Sequence, residues 1–460
     1  MSDDEETTKI IKNIKEIFLK NKNNSRELSK LIDKYFIPQE LEKKQNAEVT
    51  TPFNLRQEML DKMPESFWQS KQKVFEPCCG KGGFLIDIID RFMNGLKDKI
   101  LDEKKRYKTI VEKCLYWADI NATNIFICKM LLDPDNEYKL NYSLGDTLKI
   151  NINDMWNLDG FDAVIGNPPY NKNLYKKFTE YCLDNTDMLL FVIPSTFTIG
   201  VSHIKFIELL KKNGIKIINY LDKQNWNVKI DIDTLYFLSI KNYDKHIYIN
   251  NVKINREDKI LNITNIVHYN LLLKLNKYNK YDLQKGKNIT LNYTNKIETD
   301  NIKFEKSKIY KYKLLSRLNG GRGDEIYYTD KVKQESIDGA KIIFPRGTAS
   351  YNSINNLKNI DKDIVYSKIT DENIYLSTGL VFIKCDNLDE ADVVKWYLMR
   401  SNIVRYLFIT ENKYSELTKG FINLIPQIDY KKLDKTNKKL YKFFNLTKDE
   451  INLIEDKLFK

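Results

Sequence analysis

The sequence predicts an α/β protein built on a doubly wound, seven-stranded sheet, followed by a mixed α+β domain. Short apolar runs alternate with helical patterns from residue 74 to about residue 245. A glycine-rich segment, residues 80–83, follows the first run, and an Asn-Pro-Pro-Tyr segment, residues 167–170, follows the fourth. Sheets of this kind bind ligands at the carboxyl ends of their strands, so both segments are expected at one site.

The apolar runs and helical patterns place the elements in order. The predicted strands are 74–76, 115–118, 142–144, 163–165, 189–193, 215–221 and 235–240. The predicted helices between them are 84–92, 121–132, 175–183 and 204–212, and two more are predicted at 391–401 and 448–458. We therefore divide the chain into a helical cap at 1–48, a catalytic domain at 49–245 and a C-terminal domain at 246–460.

The charge of the chain indicates what kind of molecule it could bind. The chain has 460 residues and a net charge of +12. Residues 251–320 contain 15 Lys and Arg against 6 Asp and Glu, a net of +9. Such a basic region suits a polyanion such as nucleic acid, although a lysine-rich soluble surface would have the same composition.

Several classes are not expected. The six cysteines form no Cys-x-x-Cys pair, which predicts neither a zinc site nor a disulfide framework and indicates a reducing compartment. The N-terminus is acidic without an apolar signal segment, and no apolar run approaches about 18 residues. None of the three histidines lies in a recognisable catalytic pattern. We expect a cytoplasmic protein, bacterial or in a virus-infected cell, with no metal and no membrane span.

The glycine segment lies where the first strand meets the first helix. Gly80, Gly82 and Gly83 let the backbone approach a ligand, and the helix N-terminus offers free N–H groups. The spacing is not that of an ATPase phosphate loop, while a dinucleotide site stays open on these residues alone. Glu76, at the tip of the strand, could pair with an ammonium group.

Two acids follow the next two strands. Asp119 ends the second strand, where an acid commonly binds ribose hydroxyls, and its alternative role is to cap the following helix. Asp146 follows the third strand, where it could accept a hydrogen bond from an amino group, or from its own backbone in a turn.

The Asn-Pro-Pro-Tyr segment is the most informative part of the chain. Its prolines cannot donate to a sheet, so they hold the chain in an open turn after the strand. Asn167, Pro168 and Tyr170 then present an amide oxygen, a backbone carbonyl and a ring. This set suits a flat molecule with an exocyclic amine. On this chemistry, Asn167→Ala should lose most of the activity and Asn167→Asp should retain some.

The order of these motifs resembles that of the N6-adenine DNA methyltransferases with the gamma arrangement, over roughly residues 48–245. The cofactor-loop motif of that family, Asp/Glu-Pro-x-x-Gly-x-Gly-x-Phe, matches residues 76–84, and its upstream Thr-Pro motif matches Thr51-Pro52. The resemblance implies a Rossmann-like class I methyltransferase that uses S-adenosyl-L-methionine. It implies that the cofactor binds Thr51, Glu76, Pro77, Cys78, Gly80, Gly82, Asp119, Ile120, Asp146, Thr147 and Asn167.

For the substrate, the resemblance implies an adenine-specific, site-specific DNA methyltransferase of the kind found in restriction-modification systems. The catalytic residues would be Asn167, Pro168, Pro169 and Tyr170, acting on an adenine flipped out of double-stranded DNA. Trp226 falls about where the family faces the flipped base with an aromatic residue, and a plain core residue is the alternative. The C-terminal domain would recognise the target, with Arg317, Arg322 and Arg346 as candidate DNA contacts.

Other functions remain open on the sequence. Asn-Pro-Pro-Tyr also occurs in RNA methyltransferases and in enzymes that methylate a protein glutamine, and a catalytically dead DNA-binding module is a further alternative. The Thr51-Pro52 motif and the roughly 200 residues after the catalytic domain favour DNA. Since about 48 residues precede the first motif, any cleavage is expected from a separate restriction endonuclease.

Overall fold

The computed structural model describes residues 49–198, 204–226, 232–257 and much of 263–459, with residues 16, 27, 30 and 31. Within the last range the gaps are 282, 286–301, 304, 319–323, 331, 333–334, 346–358, 360–361, 412–418 and 423. Almost all of the predicted cap at 1–48 therefore lies outside the described residues. The chain divides into two compact units, residues 1–197 with 205–259, and residues 198–204 with 260–460.

The first unit alternates strands and helices. Its elements up to residue 144 are α1 (Phe53–Leu60), α2 (Glu65–Trp68), β1 (Val74–Glu76), α3 (Gly83–Gly95), α4 (Glu103–Lys113), β2 (Leu115–Asp119), α5 (Ala122–Leu132) and β3 (Asn141–Leu144). They continue with α6 (Ile152–Trp156), β4 (Phe161–Gly166), α7 (Leu174–Asp184), β5 (Thr186–Pro194), α8 (Ile204–Lys212), β6 (Ile215–Leu221), β7 (Thr234–Ile240), β8 (Ile247–Ile249) and β9 (Val252–Ile254).

The strands of this unit form one sheet in the order β3-β2-β1-β4-β5-β7-β6-β8-β9. Neighbours among β1 to β5 are parallel, while β7 lies antiparallel to both β5 and β6. The α/β class is confirmed. The strand number is corrected from seven to nine, because the hairpin β8–β9 pairs with β6 and extends the sheet. Its strands have three residues each, too short for a clear apolar run.

Burial explains why the centre of the sheet is predictable from sequence. Every residue of β1 and β2 is buried, as are most of β4 and β5. Helices cover both faces of a parallel sheet, so its strands become continuous apolar runs. By contrast, α4 contains mostly charged residues, and only Ile110 and Val111 are buried. Asp102 caps its N-terminus, and the Asp102 side chain accepts a hydrogen bond from Lys105 N–H. It was not among the predicted helices, since its apolar stripe is narrow.

The second unit mixes strands and helices. Its elements are α9 (Ile266–Asn276), β10 (Gln284–Lys285), β11 (Ile302–Lys303), β12 (Tyr312–Arg317), β13 (Glu325–Thr329), β14 (Lys341–Pro345), β15 (Lys368–Thr370), β16 (Tyr375–Leu376), β17 (Leu380–Lys384), α10 (Leu388–Arg400), α11 (Asn402–Glu411), α12 (Lys419–Ile422), α13 (Asn437–Phe443) and α14 (Lys448–Phe459). The strands form two four-stranded sheets, β10-β17-β14-β15 and β11-β13-β12-β16. Helices α10 and α14 correspond to the two predicted C-terminal helices. In the described part of the chain, no helix is both long and apolar enough to span a bilayer.

Candidate functional site

A cavity of about 460 Å³ opens at the carboxyl ends of β1, β2 and β4 in the first unit. Its wall combines residues 49–51, the loop after β1, the ends of β2 and β3, and the turn after β4. The residues predicted from sequence that line it are Thr51, Glu76, Pro77, Cys78, Gly80, Asp119, Ile120, Asp146, Thr147, Asn167, Pro168, Pro169 and Tyr170. The structure therefore brings the glycine loop and the Asn-Pro-Pro-Tyr turn to one site.

The glycine loop owes its path to left-handed backbone at two positions. Gly80 has φ +50° and Gly82 has φ +83°, values that glycine adopts without steric cost. Gly82 caps α3 and is not among the residues that line the cavity. A Cβ at Gly82 would lie 3.1 Å from the Cys128 Sγ atom. The structure thus gives Gly82 a role in loop conformation, and its contact with a cofactor stays a prediction.

Asp119 holds the glycine loop in place. Its Oδ2 accepts from Gly80 N–H at 2.9 Å, and its Oδ1 accepts from Asn121 N–H at 2.8 Å. Asn121 caps α5, so Asp119 does not have the alternative role of a helix cap. Burial raises the pKa of Asp119, while the hydrogen bonds from Asn121 and Gly80 act in the opposite direction. Each oxygen keeps capacity to accept a further hydrogen bond from a ligand hydroxyl.

Glu76 brings an unsatisfied carboxyl to the cavity. Its side chain is 2% exposed, and its Oε2 atom has no hydrogen-bond partner among the described residues. Burial raises its pKa well above the usual range, and the charge of Arg56 acts in the opposite direction. A buried carboxyl with an open acceptor suits a ligand that brings a positive charge or a donor.

The rim near β3 combines an apolar and a polar contact. Ile120 lines the cavity with 68% of its side chain exposed. Asp146 Oδ1 accepts from Leu148 N–H at 3.1 Å, so the alternative role of a turn aspartate is present in the structure. Thr147 Oγ1 donates to the Pro77 carbonyl at 2.6 Å and joins this rim to the cofactor loop.

The Asn-Pro-Pro-Tyr turn is anchored at several points. Asn167 Nδ2 donates to the Val49 carbonyl at 3.0 Å. Its Oδ1 atom is buried and has no hydrogen-bond partner in the described structure. Cys78 Sγ donates to the Asn167 carbonyl at 3.3 Å, and the Tyr170 hydroxyl donates to the Val192 carbonyl at 3.4 Å. The amide is therefore oriented with its oxygen available as an acceptor.

The chain after this turn adds residues that the sequence did not single out. Lys172 and Asn173 both have left-handed backbone, with φ of 49° and 62°. Such conformations are costly for residues other than glycine and occur often at functional sites. The helix α7 that follows contributes Leu174, Lys177 and Phe178 to the wall of the cavity. Lys177 is exposed and brings a positive charge to the mouth of the cavity.

The remaining predicted substrate contacts lie elsewhere. Trp226 is 6% exposed, belongs to the core of the first unit and donates its indole N–H to Thr234 Oγ1 at 3.1 Å. It does not line the cavity, which supports the core alternative, and the base contact stays a prediction. Arg317 lies on β12 of the second unit. Arg322 and Arg346 lie outside the described residues.

Two basic residues of the wall, Lys81 and Arg56, were not among the predicted site residues. Lys81 lies in the glycine loop, and its Nζ atom donates a hydrogen bond to Asn124 Oδ1 at 2.7 Å. Arg56, on α1, also lines the cavity. Lys81 was visible in the motif, but its partner lies 43 positions away. In the described part of the chain, no cluster of His, Cys, Asp or Glu side chains could hold a metal ion.

Comparison with known families decides the relationship. Residues 14–214 match the family model described as N-6 DNA Methylase, a span that includes the glycine loop and the Asn-Pro-Pro-Tyr turn. Over these residues the chain is similar to the N-6 DNA methylase family. The predicted resemblance is thereby confirmed. No curated protein matches the sequence of the chain.

Several solved structures are similar to parts of this chain. A modification subunit of a putative type I restriction enzyme from Vibrio vulnificus is 15% identical, with a TM-score of 0.39 over 54% of this chain. A putative class I S-adenosylmethionine-dependent methyltransferase from Listeria monocytogenes is 17% identical, with a TM-score of 0.35, over 50% of this chain and 73% of that chain. The type IIL restriction-modification enzyme MmeI, solved with DNA, is 11% identical, with a TM-score of 0.47, over 87% of this chain and 74% of that chain. The chain spans 57% of the length of the Vibrio protein.

The backbone of the glycine loop predicts a specific stability effect. We expect Gly82→Ala to lower the free energy of unfolding by roughly 1–2 kcal/mol through the left-handed backbone alone, with a further loss from the close Cys128 Sγ contact. The measurement is urea unfolding of the full chain. Gly339→Ala is the control, since Gly339 has φ +73° and open space around a built Cβ. Equal losses in the two variants would contradict the role of the Cys128 contact.

Proposed function

We propose that this chain is a site-specific DNA adenine methyltransferase that transfers a methyl group from S-adenosyl-L-methionine to adenine N6. The observation that carries the proposal is the buried Oδ1 of Asn167, an acceptor without a partner in the described structure. It shares one cavity with the open carboxyl oxygen of Glu76 and with the glycine loop. The free amide oxygen suits an amine that receives a methyl group. The open carboxyl oxygen beside it suits a methyl donor that carries a positive charge.

The residues of the cofactor side fit S-adenosyl-L-methionine. Glu76 would pair with the ammonium of its amino-acid end, and Asp119 would accept from the ribose hydroxyls. Ile120 would cover the adenine ring, whose amino group Asp146 would bind. The other predicted contacts, Thr51, Pro77, Cys78, Gly80 and Thr147, line the same cavity. When bound, the cofactor supplies an electrophilic methyl group on a sulfonium.

The residues of the turn would prepare the target amine. Asn167 Oδ1 and the Pro168 carbonyl would accept the two N6 hydrogens, so the nitrogen lone pair leaves conjugation with the ring and becomes available for in-line attack. The same oxygens stabilise the positive charge that develops on N6 as the new bond forms. No strong base is needed, because the methylated amine loses a proton readily.

The target base must leave the duplex to reach this turn, since N6 of a stacked adenine cannot enter a cavity. Tyr170 would stack on the flipped base, a contact worth about 1–3 kcal/mol in other aromatic–base pairs. Its hydroxyl bond to Val192 holds the residue at the cavity wall. Lys177 would neutralise a phosphate of the flipped nucleotide. The basic second unit, with Arg317, Arg322 and Arg346, would contact the rest of the double-stranded DNA, and a separate restriction endonuclease would complete the system.

Substitution of Asn167 tests the acceptor. We expect Asn167→Ala to lower kcat by at least about 10²-fold, as does the loss of one preorganised polar group elsewhere. Asn167→Asp should also lose activity, because a carboxylate cannot donate to the Val49 carbonyl that orients the wild-type amide. The Val49 contact thus revises the sequence-based expectation for the aspartate. Single-turnover methylation measures both, and wild-type rates in the alanine variant would exclude the role of Oδ1.

The raised pKa of Glu76 predicts how cofactor affinity depends on pH. The ionised carboxylate binds the ammonium, so affinity should rise as pH increases through the raised pKa and fall below it. Calorimetry in buffers of different ionisation enthalpy should show release of a proton on binding. Glu76→Gln should weaken binding and remove most of the pH dependence, whereas Asp146→Asn, at the exposed rim, should keep it. An unchanged pH profile in Glu76→Gln would rule out this assignment.

Substitution of Lys177 is expected to affect DNA binding without affecting cofactor binding. Lys177→Gln should weaken DNA binding and reduce the slope of log affinity against log salt concentration by about 1, the expected loss of one phosphate contact. Affinity for S-adenosyl-L-methionine should not change. Lys105→Gln, an exposed lysine on α4, is the matched control. If both variants keep the wild-type salt slope, Lys177 does not contact phosphate.

The function itself is tested by offering the protein radiolabelled S-adenosyl-L-methionine with duplex DNA, RNA and protein side by side. The expected product is N6-methyladenine in duplex DNA at a defined sequence. Label in RNA or in protein glutamine would replace the proposal with the corresponding alternative. Failure to bind the cofactor at all would favour a DNA-binding module without activity.

A further inference from the structure

A buried arginine lies between the cofactor loop and the catalytic turn. Arg56, on α1, is 1% exposed and lines the cavity. Its Nε atom donates to Asp87 Oδ2 on α3 at 2.6 Å, and the Asp87 side chain is 2% exposed. Two charges removed from water in this way are costly unless their geometry is good, and loss of one partner leaves the other uncompensated.

The same guanidinium reaches the segment before α1. Arg56 Nη1 donates to the Thr51 carbonyl. Two residues earlier, the Val49 carbonyl accepts from Asn167 Nδ2 at 3.0 Å. Residues 49–51 are thus bound on one side by Arg56, and on the other side they bind the amide that presents the orphan Oδ1.

The start of α3 accommodates this guanidinium because residue 83 has no side chain. A Cβ built at Gly83 would lie 2.8 Å from both Cζ and Nη1 of Arg56. Contacts that short do not occur between real side chains, so an alanine here would push the guanidinium away from Asp87 or from Thr51. The last glycine of the loop, Gly83, therefore leaves the space that the Arg56 guanidinium occupies.

We propose that Arg56 is a positioning residue for methyl transfer: with Asp87, it fixes the cofactor loop against residues 49–51, and through them it orients the Asn167 amide. The inference rests on the proposed function and adds to it a link between the two halves of the site. It needs no contact between Arg56 and either substrate. A purely structural ion pair, which only fastens α1 to α3, is the competing explanation.

The pH dependence of cofactor binding reports the charge of Arg56 in the cavity, while kcat reports its positioning role. Burial raises the pKa of Glu76, its neighbours Cys128, Asp119 and Asp87 add to that shift, and the positive charge of Arg56 acts against it. A variant that has lost the charge but keeps its fold should therefore bind S-adenosyl-L-methionine with a pH midpoint displaced to higher pH. Loss of stability alone would not displace that midpoint.

The decisive variant is the double substitution R56M/D87L, which removes both charges and leaves neither unpaired. Replacing a buried ion pair with apolar residues of similar size is often neutral for stability. We expect a folded protein with kcat reduced by about 10²-fold, the order of loss that follows a misplacement of about 1 Å. Removal of Arg56 raises the pKa of Glu76 and removal of Asp87 lowers it; because the effect of Arg56 is the larger, the pH midpoint for cofactor binding should lie above that of the wild type.

A second variant separates geometry from charge and remains informative if the double variant fails to fold. Arg56→Lys keeps the charge, but a single ammonium cannot reproduce the planar, multi-donor geometry of the guanidinium toward Asp87 and the Thr51 carbonyl. Its pH midpoint should stay at the wild-type value while kcat falls. Arg91→Gln is the matched control, because Arg91 pairs with Asp61 at 2.7 Å and also joins α3 to the end of α1, without lining the cavity.

The outcomes are distinct. Reduced kcat in the Arg56 variants, with near wild-type kcat in Arg91→Gln, supports the positioning role. Wild-type kcat in folded R56M/D87L overturns it whatever the pH midpoint, as does wild-type kcat in Arg56→Lys where the double variant does not fold. If the wild-type protein methylates none of the offered substrates, the proposed function fails and the positioning role falls with it.

Discussion

The hydrogen bond from Asn167 Nδ2 to the Val49 carbonyl sets the chemistry of the cavity. An amide can present either its nitrogen or its oxygen, and this bond directs the nitrogen into the protein. The oxygen is left buried and without a partner in the described structure, in the cavity shared with the glycine loop. The prolines make the turn stiff, so this orientation costs little when a ligand arrives. The acceptor is in place before any substrate binds.

Around this acceptor the two buried carboxyls have different hydrogen-bond partners. Asp119 has both oxygens engaged by backbone N–H groups, whereas Glu76 keeps an oxygen without a partner among the described residues. Burial raises the pKa of both carboxyls; hydrogen bonds oppose that shift at Asp119, whereas at Glu76 the charge of Arg56 opposes it and those of Asp119 and Asp87 add to it. Asp119 therefore stabilises the loop, whereas Glu76 has an oxygen available to a ligand. The difference arises from packing, since the two residue types are nearly the same chemically.

Much of the fold was predictable because buried strands appear in the sequence as continuous apolar runs. The central strands β1, β2, β4 and β5 are covered on both faces and become apolar runs, so their order and the site edge follow from sequence. Short or charged elements were missed, namely the β8–β9 hairpin and α4. Trp226 lies before a strand, where an aromatic residue fits a base contact and a core position equally well. Its burial and its contact with Thr234 support the core alternative.

The sequence by itself determined the order of the motifs and the residue types that end each strand, because both are local. It thereby identified the α/β class, the glycine loop, the acids and the Asn-Pro-Pro-Tyr turn. The tertiary structure alone decided which oxygens stay unpaired and which residues hold them. Arg56 meets Asp87 across 31 positions, and Asn167 meets Val49 across 118. Contacts over such distances depend on how helices pack on the sheet, and no local pattern records them.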